Sequence, residues 1–352
     1  MNIFRKILFP FGILYGFITS IRNFLFDFGI LKSYSFPIPV IAVGNLSVGG
    51  TGKTPQIEYL IRLLSDKYQI ATLSRGYKRK SEGFILANTT SNAEILGDEP
   101  FQFYKKFSNI QVAVDANRKN GIEQLLSLSN KPDSSDSEQA KHIVLLDDAF
   151  QHRKVKAGFY ILLTAYNDLF TNDFMLPTGN LRESRSGAKR ADMIIVTKCP
   201  RDISELAQNK IKKSLIRAND KQVEVFFTFI DYDDKIYSTN KILNINEVKT
   251  VDKLLIAGIA KPESFFAYLQ SENDECLVYP DHHHFSEKDI IDIKEKAKNK
   301  IIITTEKDFV RLSEKLPNES LFYLPIKSSF VINGENFDKK IINYVGTSTR
   351  NR

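Results

Sequence analysis

The stretch VGNLSVGGTGKTP, residues 43 to 55, sets Gly49, Gly50, Thr51, Gly52, Lys53 and Thr54 in the order used by a phosphate-binding loop. In such a loop consecutive backbone N–H groups and the positive end of the following helix cradle a phosphate, and the glycines let the backbone come close. Lys53 is suited to bridge the β- and γ-phosphates of a nucleotide, and Thr54 to hold Mg²⁺. The usual spacing asks for glycine where this chain has Ser47. That position serves the turn leading out of the strand, and serine can fill it if its φ is negative. A chance glycine-rich turn is the alternative, and a strand before the loop with a helix after it argues against chance.

HIVLLDDAFQHR, from His142, is the second chemical stretch. Four apolar residues followed by carboxylates put Asp147 and Asp148 at the carboxyl end of a strand, where a parallel sheet presents its ligand site. One of them is expected to hold Mg²⁺ directly or through water. Gln151 and His152 fall in the loop beyond, within reach of substrate or phosphate. An acidic strand end without metal is the competing reading. LPTGNLRESRSGAKR, from Leu176, is a basic loop carrying Arg182, Arg185, Lys189 and Arg190. A planar guanidinium suits phosphate, which makes Arg182 the candidate for holding one, whereas for Arg185, Lys189 and Arg190 a solvated basic surface is the alternative.

These residues need a scaffold, and the apolar pattern supplies one. FPIPVIAVGN reads as a buried strand ending at Gly44, and TPQIEYLIRLLSDKY as a helix with Ile57, Leu60, Ile61 and Leu64 on one face. Further strands are expected at QIATLSR, FILAN, IQVAVD, HIVLLDD, FYILLTA and DMIIVTK, with helices from Pro100 to about Phe107 and over RKNGIEQLLSLS. The fold class is therefore α/β: a P-loop NTPase-like, mostly parallel sheet flanked by helices. The pattern restarts near residue 220 as a second, smaller α/β unit, while the polar run at 130–141 reads as a solvated loop. The expected division is a helical segment at 1–35, a kinase-like core at 36–222, a smaller domain at 223–335, and a C-terminal helix or tail at 336–352 ending in a frayed GTSTRNR.

Hydrophobic content of 42% and charged content of 26% exclude a disordered chain. Cys199 and Cys276 make neither a disulfide framework nor a zinc site, which fits a reducing compartment. Net charge of +7 and a pI near 9.1 call for an anionic partner. The start of the chain narrows the choice: Ile7 to Ile21 is uncharged, too short to cross a bilayer that needs about twenty residues, and flanked by Arg5, Lys6, Arg22 and Lys32. With phenylalanine at 4, 9, 11, 17, 24, 26 and 28, it is expected to lie as a helix or helical hairpin on the membrane surface. The alternative is a helix packed on the protein's own core.

Eight stretches occur in the order of one family: residues 44–55, Ser-Arg-Gly-Tyr at 74–77, Gly-Asp-Glu-Pro at 97–100, Asp-Asp-Ala-Phe-Gln-His at 147–152, 176–183, Val-Thr-Lys at 196–198, Asp-His-His at 281–283 and Thr-Glu-Lys-Asp at 305–308. The chain resembles the tetraacyldisaccharide 4'-kinase family of lipid A synthesis. The resemblance implies ATP- and Mg²⁺-dependent transfer of a γ-phosphoryl group to the 4'-hydroxyl of a tetraacylated glucosamine disaccharide 1-phosphate, at the cytoplasmic face of an inner membrane; separately, a monomer is expected. The resemblance further implies Asp98 as the base for the sugar hydroxyl, His282 as its assistant with Asp281 orienting the imidazole, and Arg118 near the cleft. Arg182 would hold the lipid 1-phosphate or the transferring group, and Glu183 would bond a sugar hydroxyl. Read as a residue alone, Asp98 before Glu99 and Pro100 is an equally good helix N-cap. The three adjacent histidines invite zinc, but consecutive residues rarely aim three imidazoles at one ion. Ala149 and Lys78 stand where many members carry glycine, which touches loop geometry and no reacting group.

A nucleotide-driven membrane switch could use the same loop. It would have no need of Asp98 and the Asp281–His282 pair, and Val48 stands where membrane-partitioning ATPases place lysine before Gly-Gly. Nucleic-acid binding lacks any recognised module.

Overall fold

Val40–Asn45 (β1) is buried at every position, and its side chains alternate between two cores. Ile41 and Val43 join Ile57, Leu60, Ile61 and Leu64 of the helix Lys53–Leu64 on one face. Val40 and Ala42 join Leu73, Val144 and Ile122 on the other. A strand covered on both faces must be apolar throughout, which is why this run reads as continuous rather than alternating. The computed structural model describes Arg5 and residues 7–129, 142–220, 222–281 and 283–350. The polar run at 130–141 and His282 lie outside the described residues.

The remaining strands of the first half are β2 (Gln69–Ser74), β3 (Ile85–Leu86), β4 (Gln111–Val114), β5 (His142–Asp147), β6 (Phe159–Ala165), β7 (Met193–Thr197) and β8 (Glu224–Tyr232). The second half adds β9 (Lys235–Tyr237), β10 (Ile242–Asn244), β11 (Lys253–Ala257), β12 (Glu275–Val278), β13 (Ile301–Thr305), β14 (Leu321–Leu324) and β15 (Ile326–Phe330). One sheet runs β15-β8-β7-β6-β1-β5-β2-β4-β3 and the other β10-β9-β14-β13-β11-β12. In the larger sheet only the edge strands β3 and β15 pair antiparallel. β1 lies between β5 and β6, with Val43 paired opposite Asp147, so the glycine loop and the acidic pair leave the same sheet edge side by side.

A cut at residue 222 divides the sequence but not the sheet, because β8 pairs in parallel with β7 and takes β15 on its other side. The smaller unit hangs from these two strands, with Asp233 N–H donating to Pro325 O at 3.0 Å where both cross over. The chain then returns to the first unit. The helix Gly334–Arg350 buries Phe337, Ile341 and Val345 in the larger core. The final GTSTR thus continues a helix, because that core contact carries the helical register through the segment expected to fray.

The units also dock directly. Lys106, on the helix Asp98–Lys106, sits between Glu58 at 2.7 Å and Glu306 at 2.5 Å, the latter on the helix Glu306–Leu312 of the smaller unit. Burial and the neighbouring Glu58 push the Glu306 carboxyl upward.

Near the amino terminus, Phe9–Asp27 forms one unbroken helix with Pro10 in its first turn, where the missing N–H costs nothing. Gly12 and Phe26 are buried, while Phe11, Ile13, Leu14, Phe17, Ile18, Ile21, Phe24 and Phe28 face outward. A side chain at Gly12 would meet Thr178 Oγ1 at 2.7 Å, so glycine lets the helix lie against the loop 174–183. The uncharged stretch was expected to be too short to cross a bilayer, but the helix runs on past Arg22 to Asp27, and by length and composition alone it is the one helix among the described residues long and apolar enough to do so.

Candidate active site

The loop after β1 is braced before any ligand is considered. Ser47 stays out of the left-handed region and bridges to Leu181, and Val48 N–H donates to Asn180 O at 2.7 Å. Gly52 takes φ 81° as the residue preceding the helix Lys53–Leu64, a conformation that a Cβ would strain. Thr197, at the end of β7, holds the loop from the other side by donating from Oγ1 to Thr51 O at 2.9 Å.

Lys53 leaves the first turn of that helix and points back toward the sheet edge. Its Nζ lies 3.7 Å from Asp148 Oδ1 and 3.4 Å from Asn45 Oδ1. Arg182 grips the same carboxylate with both Nη atoms, at 2.9 and 2.7 Å, and also donates to Asn45 Oδ1 and, at 3.1 Å, to Asn45 O. Asp148 has φ 48°, so the backbone is strained where it turns its carboxylate into the cluster. Asp147 is buried beneath it, accepting from Ser74 Oγ at 3.3 Å. Arg118, 2% exposed, donates to the backbone carbonyls of Asp115 at 2.7 Å and Asp147 at 3.0 Å.

Electrostatics separates the two neighbouring aspartates. Burial, with Asp148 beside it, pushes Asp147 up to about 6. Against the upward push of its own burial, the Arg182 hydrogen bonds and the Lys53 charge hold Asp148 down at about 2. Burial lowers His152 to about 4, helped by Arg118 and Arg22, so the imidazole is neutral at physiological pH. Its Nε2 and Gln151 Oε1 are buried without hydrogen-bond partners among the described residues, as are Arg118 Nε and Arg182 Nε. Buried polar atoms left unpaired beside a glycine loop are the mark of a site shaped for a polar ligand. Thr54, Asp147 and Asp148 offer the hard oxygen donors that Mg²⁺ takes, and an elevated Asp147 is a carboxylate a divalent cation would relieve. The residues present therefore fit the metal, provided Arg182 yields part of its hold on Asp148.

The Glu183 carboxylate is bonded within the protein in this arrangement. It is 2% exposed and accepts from Arg190 Nη2 at 2.7 and 2.8 Å, Gln151 Nε2 at 2.8 Å and Asn23 Nδ2 at 3.0 Å. It is a junction joining the basic loop, the loop after β5 and the N-terminal helix. Tyr15 adds a bond from its hydroxyl to Arg182 O at 3.0 Å, and Arg22 one to Gln151 O at 2.9 Å.

Asp98 opens the helix Asp98–Lys106, but Gly97 holds the N-cap position, with φ 91° and no side-chain capping bond. The Asp98 carboxylate instead accepts from Arg311 Nη2 of the smaller unit. Next to it, the Glu99 charge adds a smaller upward push on Asp147 to those of burial and Asp148. Asp281 is exposed on the turn after β12, and its charge is felt at Lys198, whose Nζ would come within 3.7 Å of a Cβ on Gly50. His283 is bound to Asp289 at 3.0 Å and stacked on Tyr279. No group of three metal-ligating side chains occurs among the described residues.

Asn45, Ser74, Lys198 and Arg311 are the members that residue-by-residue reading missed. Asn45, Ser74 and Lys198 lay within the family stretches at 44–55, 74–77 and 196–198 without a role of their own, Asn45 also as a buried amide closing an otherwise apolar strand, and Arg311 carried no signal.

With this geometry in place, comparison with known proteins is decisive. The family model LpxK, tetraacyldisaccharide-1-P 4'-kinase, matches residues 4–345. The chain belongs to the tetraacyldisaccharide 4'-kinase family. It is 84% identical over 351 residues to the tetraacyldisaccharide 4'-kinase of Flavobacterium psychrophilum, covering all of both chains. It is 65% identical to that of Flavobacterium johnsoniae, covering 98% of each. Among solved structures, LpxK from Aquifex aeolicus in complex with ATP superposes with a TM-score of 0.77 at 29% identity, over 97% of this chain and all of that one. For this kinase family member the glycine loop, the acidic pair and the basic loop therefore sit within a full-length match.

Proposed function

We propose that the protein transfers the γ-phosphoryl group of ATP to the 4'-hydroxyl of a tetraacylated glucosamine disaccharide 1-phosphate. The observation that carries the reading is the convergence of Lys53, Asp148, Arg182 and Asn45 at the adjoining ends of β1 and β5, behind a glycine loop. Gly49, Gly50, Thr51 and Gly52 present backbone amides to the phosphates, and Lys53 follows the γ-group. Mg²⁺, held by Thr54 with Asp147 and Asp148, would neutralise charge on the β- and γ-phosphate oxygens. Arg182, which holds Asp148 with both Nη atoms, would be free to share its guanidinium with a phosphate oxygen once a cation takes over part of that carboxylate's charge.

Asp98 accepts the proton of the 4'-hydroxyl as its oxygen bonds to the γ-phosphorus. The bond from that phosphorus to the bridging oxygen breaks, and ADP departs with the electron pair. His282, with Asp281 orienting it, assists that base. Neutral His152, Gln151 and Arg118 line the substrate side. The outward phenylalanines of Phe9–Asp27 seat the protein as a peripheral monomer on the cytoplasmic face of the inner membrane, where an acylated sugar resides.

Steady-state kinetics of Asp98→Asn and Lys53→Ala test the roles. Asp98→Asn should cut kcat by about 10²–10⁴-fold with the ATP KM nearly unchanged, as loss of a general base does. A kcat equal to wild type removes Asp98 from the chemistry.

A further inference from the structure

Asp98 is held from across the gap between the two units. Arg311, on the helix Glu306–Leu312 of the smaller unit, donates from Nη2 to Asp98 Oδ2 of the larger one, and both side chains are largely shielded, at 12% and 29% exposure. Arg311 also lies beside a second carboxylate. Its Nη1 lies 3.6 Å from Asp308 Oδ1, and Asp308 is fully buried, accepting from Gly258 N–H at 2.8 Å and Thr305 Oγ1 at 2.7 Å. Gly258 follows β11 and Thr305 ends β13. A continuous set of contacts therefore runs from the centre of the smaller sheet through Asp308 and Arg311 to the carboxylate. The Lys106 bridge between Glu58 and Glu306, and the approach of Lys307 to Glu99 at 3.8 Å, set the same two helices against each other.

We infer that Arg311 is a positioning residue for phosphoryl transfer: it fixes the Asp98 carboxylate toward the acceptor hydroxyl and makes docking of the smaller unit a condition for that carboxylate to act. The inference rests on the reading of Asp98 as the base. Even the short side chain of Asp98 at a helix start can adopt several rotamers, and a guanidinium lying between it and the buried Asp308 selects among them by charge and by its bond to Asp98. Misplacing a reacting group by an ångström costs up to about 10²-fold in rate. Arg311 touches Asp98 and need not touch ATP.

The test uses the full-length protein with ATP and the acylated disaccharide, in Arg311→Gln, Arg311→Lys, Asp98→Asn and the Asp98→Asn/Arg311→Gln pair, with thermal unfolding of each recorded. Arg311→Gln should lower kcat by about 10-fold or more while the ATP KM stays within about 3-fold. Arg311→Lys should recover most of the loss. In the Asp98→Asn background, Arg311→Gln should change the residual rate by less than about 2-fold, since residues acting as one unit are non-additive. An equal loss in both backgrounds overturns the inference, as does full kcat in Arg311→Gln while Asp98→Asn is inactive. Full kcat in Asp98→Asn alone overturns both this inference and the base assignment.

Discussion

Truncating Glu183 distinguishes a structural junction from a sugar ligand. Glu183→Ala removes a carboxylate 2% exposed that neutralises Arg190 through two contacts of 2.7 and 2.8 Å and accepts from Gln151 and Asn23. Breaking a buried ion pair from one side costs about 3–5 kcal/mol, because the remaining charge stays desolvated. Each orphaned amide donor adds up to about 1–3 kcal/mol where water cannot reach it, although these losses share one cavity and do not sum. A net loss of about 3–5 kcal/mol corresponds to a fall in melting temperature of roughly 6–20 °C in a domain of this size. Differential scanning calorimetry reads the shift. Hydrogen exchange over residues 9–27 should rise in the same variant, since Asn23 loses its anchor. Glu183→Gln keeps one acceptor and should fall between. A melting temperature within about 2 °C of wild type, with only the KM for the lipid raised, would refute the junction and return Glu183 to the substrate.

Other consequences are open to simple measurement. Asp147, pushed up to about 6, must lose its proton before binding Mg²⁺, so apparent Mg²⁺ affinity in a titration should weaken about tenfold between about pH 7 and about pH 5, and a flat response would contradict this. The linked stability has the opposite sign: in metal-free protein a raised carboxyl contributes fully below about 3.8 and loses that contribution as pH rises through about 6, and Asp147→Asn should erase this slope in chemical denaturation. Gly97→Ala places a Cβ 3.1 Å from Tyr77 O at φ 91° and ψ 159°, a region essentially confined to glycine, so it should destabilise by about 1–3 kcal/mol and lower kcat by displacing Asp98; equal kcat counts against the geometry. Replacing the exposed Phe11, Phe17 and Phe24 by serine removes about 1–3 kcal/mol of apolar transfer each, so sedimentation with anionic vesicles should be lost while the melting temperature holds.

Much of the larger unit was legible in the sequence because its determinants are local. The continuous apolar run at 40–45 is a strand buried on both faces, and Ile57, Leu60, Ile61 and Leu64 bury together as their spacing requires. The glycine loop and Asp147–Asp148 were placed correctly for the same reason: each follows its strand directly. What escaped were relations between distant segments. Nothing near Glu183 says that Asn23, 160 residues away, will occupy its carboxylate. Arg311 stands three residues beyond Thr-Glu-Lys-Asp and reads as an ordinary cation in the last turn of a helix, until the fold brings it to Asp98 across 213 residues. The edge pairing of β15 with β8 was equally hidden, since an antiparallel edge strand leaves no periodicity that distinguishes its sheet.

The most direct test of the whole account follows ADP release and product structure together, with ATP present and the acylated disaccharide 1-phosphate either supplied or withheld. The account predicts ADP only when the disaccharide is present, in equal amount to a product whose new phosphate resonance couples to the 4' position of the sugar. ADP released at the same rate without the disaccharide, or a phosphate found elsewhere on it, would contradict the account.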